Sequence, residues 1–463
     1  MKFAIIASYF AGETYGLLGP QMAATVIREN TPFDCIVIAV ARDDDKSLLK
    51  KALADYFQKA RPIIGFSTLS GRSDLFSFAG ELKNEGAVTI LAGPQADIDY
   101  LGEKNRQDHP HRFAGLSNYF SFCLHGPAEQ AIGLIQNLDQ KGWQENPGLL
   151  YLNKYQKKIH NPKKNWDEKF LNKVTWDNIY RLEKSSLVPH KIATGQVLQQ
   201  IGCPYAARQK SIEIDYPTFM NNNKVRLHSK GCSFCDVAVD KGFYRALCMH
   251  TVLDQILCLP KTTDGRKIPF ELINENPLPV LPSLLNEVKI KNVDLSQINL
   301  TMRADWFIKG NGHLRKALQL AENMEIRIIL TSMGFESFDD TILRNLNKGV
   351  NVKTNLQAVH LMRQLKNDFP SHIGYLRNEG GNHGFIHPTP WDSKKTSVNI
   401  QKIINRYALA ADILPDHSTP LIIHHASVLG DWIRKIEKIE GVLFKRYDSI
   451  IGWWEESLLS DVS

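Results

Sequence analysis

The residues whose types and spacing could do chemistry are cysteines. Gly231-Cys232-Ser233-Phe234-Cys235 carries a C-x2-C pair, and Gly202-Cys203-Pro204-Tyr205-Ala206 stands upstream of it. Such a pair directs two thiolates to one metal ion or cluster. By spacing alone it serves zinc, a redox dithiol or an iron–sulfur centre. A further donor, His228, lies close by, so Cys203, His228, Cys232 and Cys235 also compose a Cys3His zinc set. The other four of the seven cysteines read as core residues: Cys248 and Cys258 fall at helical spacing, and Cys35 and Cys123 lie in apolar strands. An odd count in a long chain without a secretion signal argues against a disulfide framework.

Taken together, the two segments resemble the signature of the radical S-adenosylmethionine (SAM) superfamily, roughly G-C-P-Y-x-C-x-F-C. Here it is split by an insertion over 207–230, and the spacing becomes C-x28-C-x2-C. The resemblance implies that Cys203, Cys232 and Cys235 hold three irons of a [4Fe–4S] cluster, leaving the fourth iron to SAM. Phe234 is the aromatic residue of that signature and is expected beside SAM. Lengthening the loop costs about 2 kcal/mol by closure entropy, well below the ~10–16 kcal/mol of structural zinc binding. His228 occupies the place the first cysteine would take without the insertion. An imidazole there would raise the cluster potential, whereas SAM cleavage needs a strongly reducing cluster, so Cys203 is the expected third ligand. The insertion itself shows no pattern that assigns it a role.

Further segments, in order along the chain, resemble the same family. Ile273-Asn274-Glu275-Asn276 stands where relatives carry acids and amides near the SAM amino group. Thr301-Met302-Arg303-Ala304-Asp305 is similar to an R-A-D strand end. Gly334-Phe335-Glu336-Ser337, with Lys348-Gly349 beyond, is similar to a G-x-E-S strand end followed by a helix. By this resemblance Asn274, Glu275, Arg303 and Glu336 join Phe234 in binding SAM. Carboxylates and amides accept from an ammonium, and an arginine fixes a carboxylate or ribose. The plainer readings are a turn for Asn274, a surface cation for Arg303 and a helix-start acid for Glu336. Phe385-Ile386-His387-Pro388-Thr389-Pro390 resembles the later strand that closes one side of the barrel. The His424-His425 pair could face the substrate near a late strand end, but reads as packed or solvent-facing.

The N-terminal region resembles the cobalamin-binding domain that precedes many radical SAM barrels. Its strand ends are small and glycine-rich, which lets backbone approach a ligand closely. On that resemblance Ser67, Thr68, Ser70, Gly93, Pro94 and Gly126 are the expected cobalamin contacts. No D-x-H-x-x-G motif supplies a histidine to cobalt. A nicotinamide or flavin site is a poorer reading, because Gly12, Gly16 and Gly19 do not form G-x-G-x-x-G.

The elements that must position these residues follow from hydrophobic periodicity. Lys2–Ser8, Cys35–Val40, Ile63–Ser67 and Val88–Ala92 read as buried strands, with helices over Gln21–Glu29, Asp45–Ala60 and Asp74–Glu85 between them. That rhythm predicts an α/β fold: an N-terminal doubly wound, Rossmann-like domain of cobalamin-binding type over 1–135. A linker is expected over 136–190, with Gly148–Leu152 as an added strand. The resemblance then implies a partial (β/α)6 radical SAM barrel over 191–405, followed by a last strand and a short helical tail over 406–463. Barrel strands are expected at Phe270–Ile273, Ile298–Met302, Ile326–Leu330, Gly384–His387 and Leu421–His424, and helices at Asp339–Asn345 and Thr354–Asn367.

Composition bounds the function. The 463 residues are 43% hydrophobic and 23% charged with a net charge of +7, ordinary for a soluble globular protein. No apolar run spans a bilayer, so no membrane is expected and the expected compartment is the cytoplasm. The basic stretches are mixed with acids and read as solvated surface rather than a nucleic-acid interface. The resemblance therefore implies an enzyme that reductively cleaves SAM at a [4Fe–4S] cluster. Cobalamin is the expected second cofactor, and methyl transfer or rearrangement of a small-molecule substrate the expected outcome. A flavodoxin- or ferredoxin-like protein is the expected electron donor. The alternative is a non-catalytic cobalamin-type sensor with a structural Cys3His zinc site.

Overall fold

The computed structural model describes residues 1–68, 72–96, 116–140, 142–235, 242–413, 418–447 and 450–459. The chain divides into two compact units, Met1–Gly195 and Gln196–Ser463.

The first unit alternates strands and helices: β1 (Lys2–Ser8), α1 (Leu18–Asn30), β2 (Asp34–Val40), α2 (Lys46–Phe57), β3 (Ile63–Ser67), α3 (Ser73–Asn84), β4 (Val88–Ala92), β5 (Phe122–Leu124) and α4 (Gln130–Gln136). Four more strands follow: β6 (Leu149–Leu152), β7 (Lys158–His160), β8 (Ile179–Glu183) and β9 (Ser186–Pro189). All join one sheet of order β7-β6-β5-β4-β3-β1-β2-β8-β9. Its centre, from β5 to β8, is parallel, while β6, β7 and β9 are antiparallel additions at the two edges.

Strands of a sheet covered on both sides are largely apolar, and the central ones here are, with polar residues mostly at their ends and Thr89 buried within β4. Ile6, Ile38 and Phe66 pack under α2 and α3, while Ile5, Val37 and Ile90 pack under α1 and α4. Cys35 and Cys123 are buried within these two layers, as expected. The segment 136–190, expected as a linker, is instead part of the sheet. Its short strands gain their place through main-chain pairing at the edges rather than through a long apolar run.

The second unit begins with β10 (Gly195–Leu198), β11 (Gln200–Gly202), β12 (Gln209–Asp215), β13 (Lys224–Lys230), β14 (Phe243–Ala246) and α5 (Met249–Cys258). Then come β15 (Phe270–Ile273), α6 (Leu281–Ile290), β16 (Gln297–Thr301), α7 (Ala304–Lys309), α8 (Asn311–Glu322), β17 (Arg327–Ser332), α9 (Asp340–Asn345), α10 (Val352–Asp368) and β18 (Ile373–Gly374). The main sheet runs β10-β15-β16-β17-β18, with parallel pairing from β15 to β18. Phe270, Leu272, Ile298, Leu300, Ile328 and Leu330 are almost wholly buried on one face. On the other face Thr301 Oγ1 meets Glu271 Oε1 at 3.3 Å and Thr331 Oγ1 at 3.1 Å. Asp339 caps α9, accepting from the amides of Thr341 and Ile342.

Beyond lie β19 (Phe385–Ile386), α11 (Lys394–Arg406), β20 (Ser418–Thr419), β21 (Ile423–His424) and α12 (Val428–Glu440). The tail is not helical throughout, because β22 (Leu443–Phe444), β23 (Arg446–Tyr447), β24 (Ile450–Ile451) and β25 (Leu458–Leu459) follow α12. The insertion 207–230 is a hairpin. β12 and β13 pair antiparallel from Gln209↔Lys230 to Asp215↔Lys224. One face of the hairpin, Ile214, Val225 and Leu227, packs with Trp391, Trp432 and Ile436 in a core of its own.

Two cysteine expectations need correction. Cys248 caps the start of α5 and Cys258 ends it, and both are exposed. The buried stripe of that helix is Val252, Leu253 and Ile256, which leaves both sulfur atoms off the core side. Among the described residues no helix is long and apolar enough to cross a membrane.

Candidate functional site

Cys203 leaves β11 with its amide donating to Gly242 O at 2.7 Å, and a single 3-10 turn over Pro204–Ala206 follows. That turn presents the Tyr205 ring, over which the Arg303 guanidinium sits 3.9 Å from the centroid. The Cys232–Cys235 loop leaves β13, with the Cys235 amide donating to Cys232 O at 3.3 Å. Three residues at the C-terminal end of α9, Asn345 to Asn347, hold both halves of the split motif. Ser233 Oγ donates to Asn345 O at 2.7 Å, and the Ser233 amide donates to Leu346 O at 2.9 Å. Asn347 Nδ2 donates to Gly231 O at 2.6 Å, and Asn347 O accepts the Tyr205 hydroxyl at 3.0 Å. Asn347 has φ 47°, a left-handed conformation that asparagine tolerates better than most residues.

The thiols carry the signature of a desolvated donor set. Burial, then the nearby Glu275 carboxylate, pushes Cys203 up to about 11, and Cys232 adds to the effect. Burial also raises Cys232, against the opposing pull of Lys348 and Arg303. Such thiols hold their protons at neutral pH until a metal displaces them. Three soft sulfur donors with cations behind them fit an anionic iron–sulfur cubane. Among the described residues no three His, Cys, Asp or Glu side chains converge on one point as a single ion demands. A cubane takes its ligands at separate corners and makes no such demand. His228, the rival donor, is exposed on β13 opposite Ser211, on the face away from the hairpin's core.

Around the thiols lies a charged layer centred on Lys348. Its ammonium, 5% exposed as a residue, donates to Glu336 Oε1 at 2.7 Å and lies 5.9 Å from the centroid of the Phe234 ring. Burial opposes that charge, but Glu336 and Cys232 together hold Lys348 above the ordinary lysine value. Glu275 is exposed to solvent, although protein atoms crowd about its carboxylate. That crowding raises its pKa, while Lys348 pulls it down and Glu271 pushes it up.

Of the five residues expected around SAM, Phe234, Arg303 and Glu336 gather about Lys348, and Glu275 lies within electrostatic reach of that lysine. Asn274 is turned aside. Its Nδ2 donates to Gln199 Oε1 at 2.8 Å and its Oδ1 accepts the Asn276 amide at 2.8 Å, which is the turn role of the plainer reading. Sequence reasoning passed over Tyr205, Asn347 and Lys348 as site residues. The Lys348-Gly349 pair was the available signal: Gly349 has φ +69°, and a Cβ there would collide with the Tyr205 hydroxyl. His425 is buried, as a packed histidine would be.

No family model matches the chain, and no curated protein does. Its fold does match solved structures of a cobalamin-dependent S-adenosylmethionine radical enzyme, OxsB. With aqua-cobalamin bound, the TM-score is 0.60. With both aqua-cobalamin and S-adenosylmethionine bound it is 0.59. Each match is 12% identical in sequence and covers 97% of this chain and 64% of that one. The apo, selenomethionine-labelled form gives 0.56. The chain has the fold of a cobalamin-dependent radical SAM enzyme. It spans less than two thirds of the length of that enzyme.

The strand ends of the first unit form a second group of candidate residues. The Ser67↔Ala92 register sets the ends of β3 and β4 side by side. Gly93, φ +77°, approaches Ser67 so closely that a Cβ would lie 2.7 Å from its Oγ. Pro94 beside it is exposed. Thr68 is fully buried, with no hydrogen-bond partner for its Oγ1 among the described residues, an orphaned polar atom of the kind a ligand satisfies. Gly126, φ +98°, is crowded in the same way by Gln130 and Lys163. Ser70 lies outside the described residues. The cradle at Ser67, Thr68, Gly93 and Pro94 fits a close ligand approach.

Proposed function

We propose that this chain is a radical SAM enzyme that cleaves SAM reductively at a cluster held by Cys203, Cys232 and Cys235. On this reading the second unit is a partial (β/α)6 barrel and the first a cobalamin-binding domain. The observation that carries the reading is the return of the Cys232–Cys235 loop to the Cys203 turn across the insertion, secured through Tyr205, Arg303 and Asn347. When bound, the cluster would supply one electron to the sulfonium and cobalamin a methyl carrier.

The chain's own residues do the rest. Glu275 and Glu336 offer carboxylates to the SAM ammonium. Phe234 covers one side of the space and, with the aliphatic strand residues, keeps water out. Thr68, Gly93 and their neighbours take the edge of cobalamin. Methyl transfer to, or rearrangement of, a small molecule is the reaction class, with an electron-carrier protein such as flavodoxin or ferredoxin as reductant.

The test is anaerobic reconstitution with iron and sulfide, then SAM and dithionite, with and without hydroxocobalamin. 5′-Deoxyadenosine and S-adenosylhomocysteine are scored separately. The expected result is brown protein with a full cubane complement that forms 5′-deoxyadenosine. Cys203→Ala should lose both properties and His228→Ala neither. A Cys203→Ala variant that still assembled the full cluster and cleaved SAM would overturn the ligand set.

A further inference from the structure

We propose that Arg303 is a positioning residue that holds the Cys232 sulfur and tunes the cluster, rather than a contact for SAM. The inference rests on the radical SAM reading and deepens it.

Arg303 follows β16 at the strand end where a SAM contact was expected, but its guanidinium is committed elsewhere. Its Nε donates to Asp305 Oδ1 at 3.0 Å, its Nη2 to Lys348 O at 2.5 Å, and its Nη1 points at Cys232 Sγ from 3.7 Å. The planar group also rests on the Tyr205 ring, and it stands 5.1 Å from the centroid of Trp306. The residue is 4% exposed. Each nitrogen is therefore engaged, and a ring occupies one face. A guanidinium is rigid, so turning it towards a SAM carboxylate would break these bonds together.

The contact with sulfur has an electronic consequence. An N–H from a cation draws density from a ligating thiolate and favours the more negative, reduced cluster. Arg303 thus raises the cluster potential while fixing where Cys232 stands. Tyr205, two residues from Cys203, shares the same guanidinium. One side chain therefore relates the two halves of the split motif without touching a substrate.

The experiment compares Arg303→Gln, Arg303→Lys and Asp305→Asn with the unmodified protein after anaerobic reconstitution. EPR-monitored redox titration reads the midpoint potential, and equilibrium dialysis reads the SAM dissociation constant. Arg303→Gln should move the potential to a more negative value while SAM affinity stays within about threefold. Arg303→Lys should restore part of the potential, since the charge remains near the sulfur. Asp305→Asn loosens the clamp without deleting it, so its shift should be smaller but in the same direction; it decides the matter if Arg303→Gln does not fold. A loss of SAM affinity of about tenfold or more at unchanged potential would make Arg303 a SAM contact and overturn the proposal. Unchanged potential with unchanged affinity would overturn it equally. Unmodified protein that assembles no cluster would sink the functional reading and this inference with it, a failure visible before any variant is compared.

Discussion

The Tyr205 hydroxyl donates to the main-chain oxygen of Asn347 at 3.0 Å, and this bond joins the Cys203 turn to the residue that also holds Gly231. Two segments that the sequence separates by a whole hairpin are thereby fixed to a single point beyond α9.

Tyr205→Phe removes that bond and should cost about 1 kcal/mol of stability. Gly349→Ala should do more, because it combines a left-handed backbone, worth ~1–2 kcal/mol for a residue with a Cβ, with a collision against the same hydroxyl. Urea denaturation checks both values. Iron content after reconstitution should fall further in the glycine variant than in the tyrosine one.

The hairpin is anchored by Trp432, which is fully buried with its ring centroid 5.6 Å from that of Trp391. Trp432→Ala should lose about 3–5 kcal/mol of stability. Limited proteolysis should then cut first within 207–230, before the first unit is touched. Cleavage that began in the first unit would contradict the assigned packing.

His383 gives stability a pH dependence. Its Nδ1 accepts the Met333 amide at 3.2 Å and its Nε2 donates to Tyr375 O at 3.0 Å. Burial lowers its pKa from 6.5 to about 4, although the bond to Tyr375 O opposes that shift. Above pH 6.5 the ring is neutral folded or unfolded, and its contribution is complete. As pH falls from 6.5 towards 4 the unfolded chain takes up a proton that the native state refuses. Stability should drop by about 3 kcal/mol across that window and then level off. His383→Gln should flatten this part of a stability–pH curve measured by urea denaturation.

Gly93→Ala tests the cradle on the first unit. The added Cβ meets Ser67 Oγ in a left-handed backbone. Hydroxocobalamin affinity, read by absorbance titration, should weaken by about tenfold, with iron content unchanged. Equal affinity in the two proteins would remove Gly93 from the site.

The strands that sequence reading places well are those buried on both sides. β1, β3 and β4 begin and end close to where the apolar runs do, because a sheet covered on both faces favours apolar residues with little interruption. The edge strands β7 and β9 carry no such run, and a sequence shows nothing of the neighbours that pair with them. The hairpin went unread, although a local signal for it exists. Lys224-Val225-Arg226-Leu227-His228-Ser229-Lys230 alternates with period two, and that alternation places His228 on the outer face. What the inner face packs on lies some 200 residues later, at Trp432, which no local pattern reveals. The same holds for Lys348: a lysine before a glycine reads as surface until Glu336 and the thiols close around it.

Because the hairpin between Cys203 and Cys232 is seated on α12 and residues as late as Trp453, the cluster proposed above would load late. A ribosome that has finished the three cysteines has not yet delivered their support. Iron offered to the nascent chain at that stage would meet three thiols flanking a loose strand pair. The complete pocket awaits the last stretch of the polypeptide, so truncation far from any sulfur should empty it.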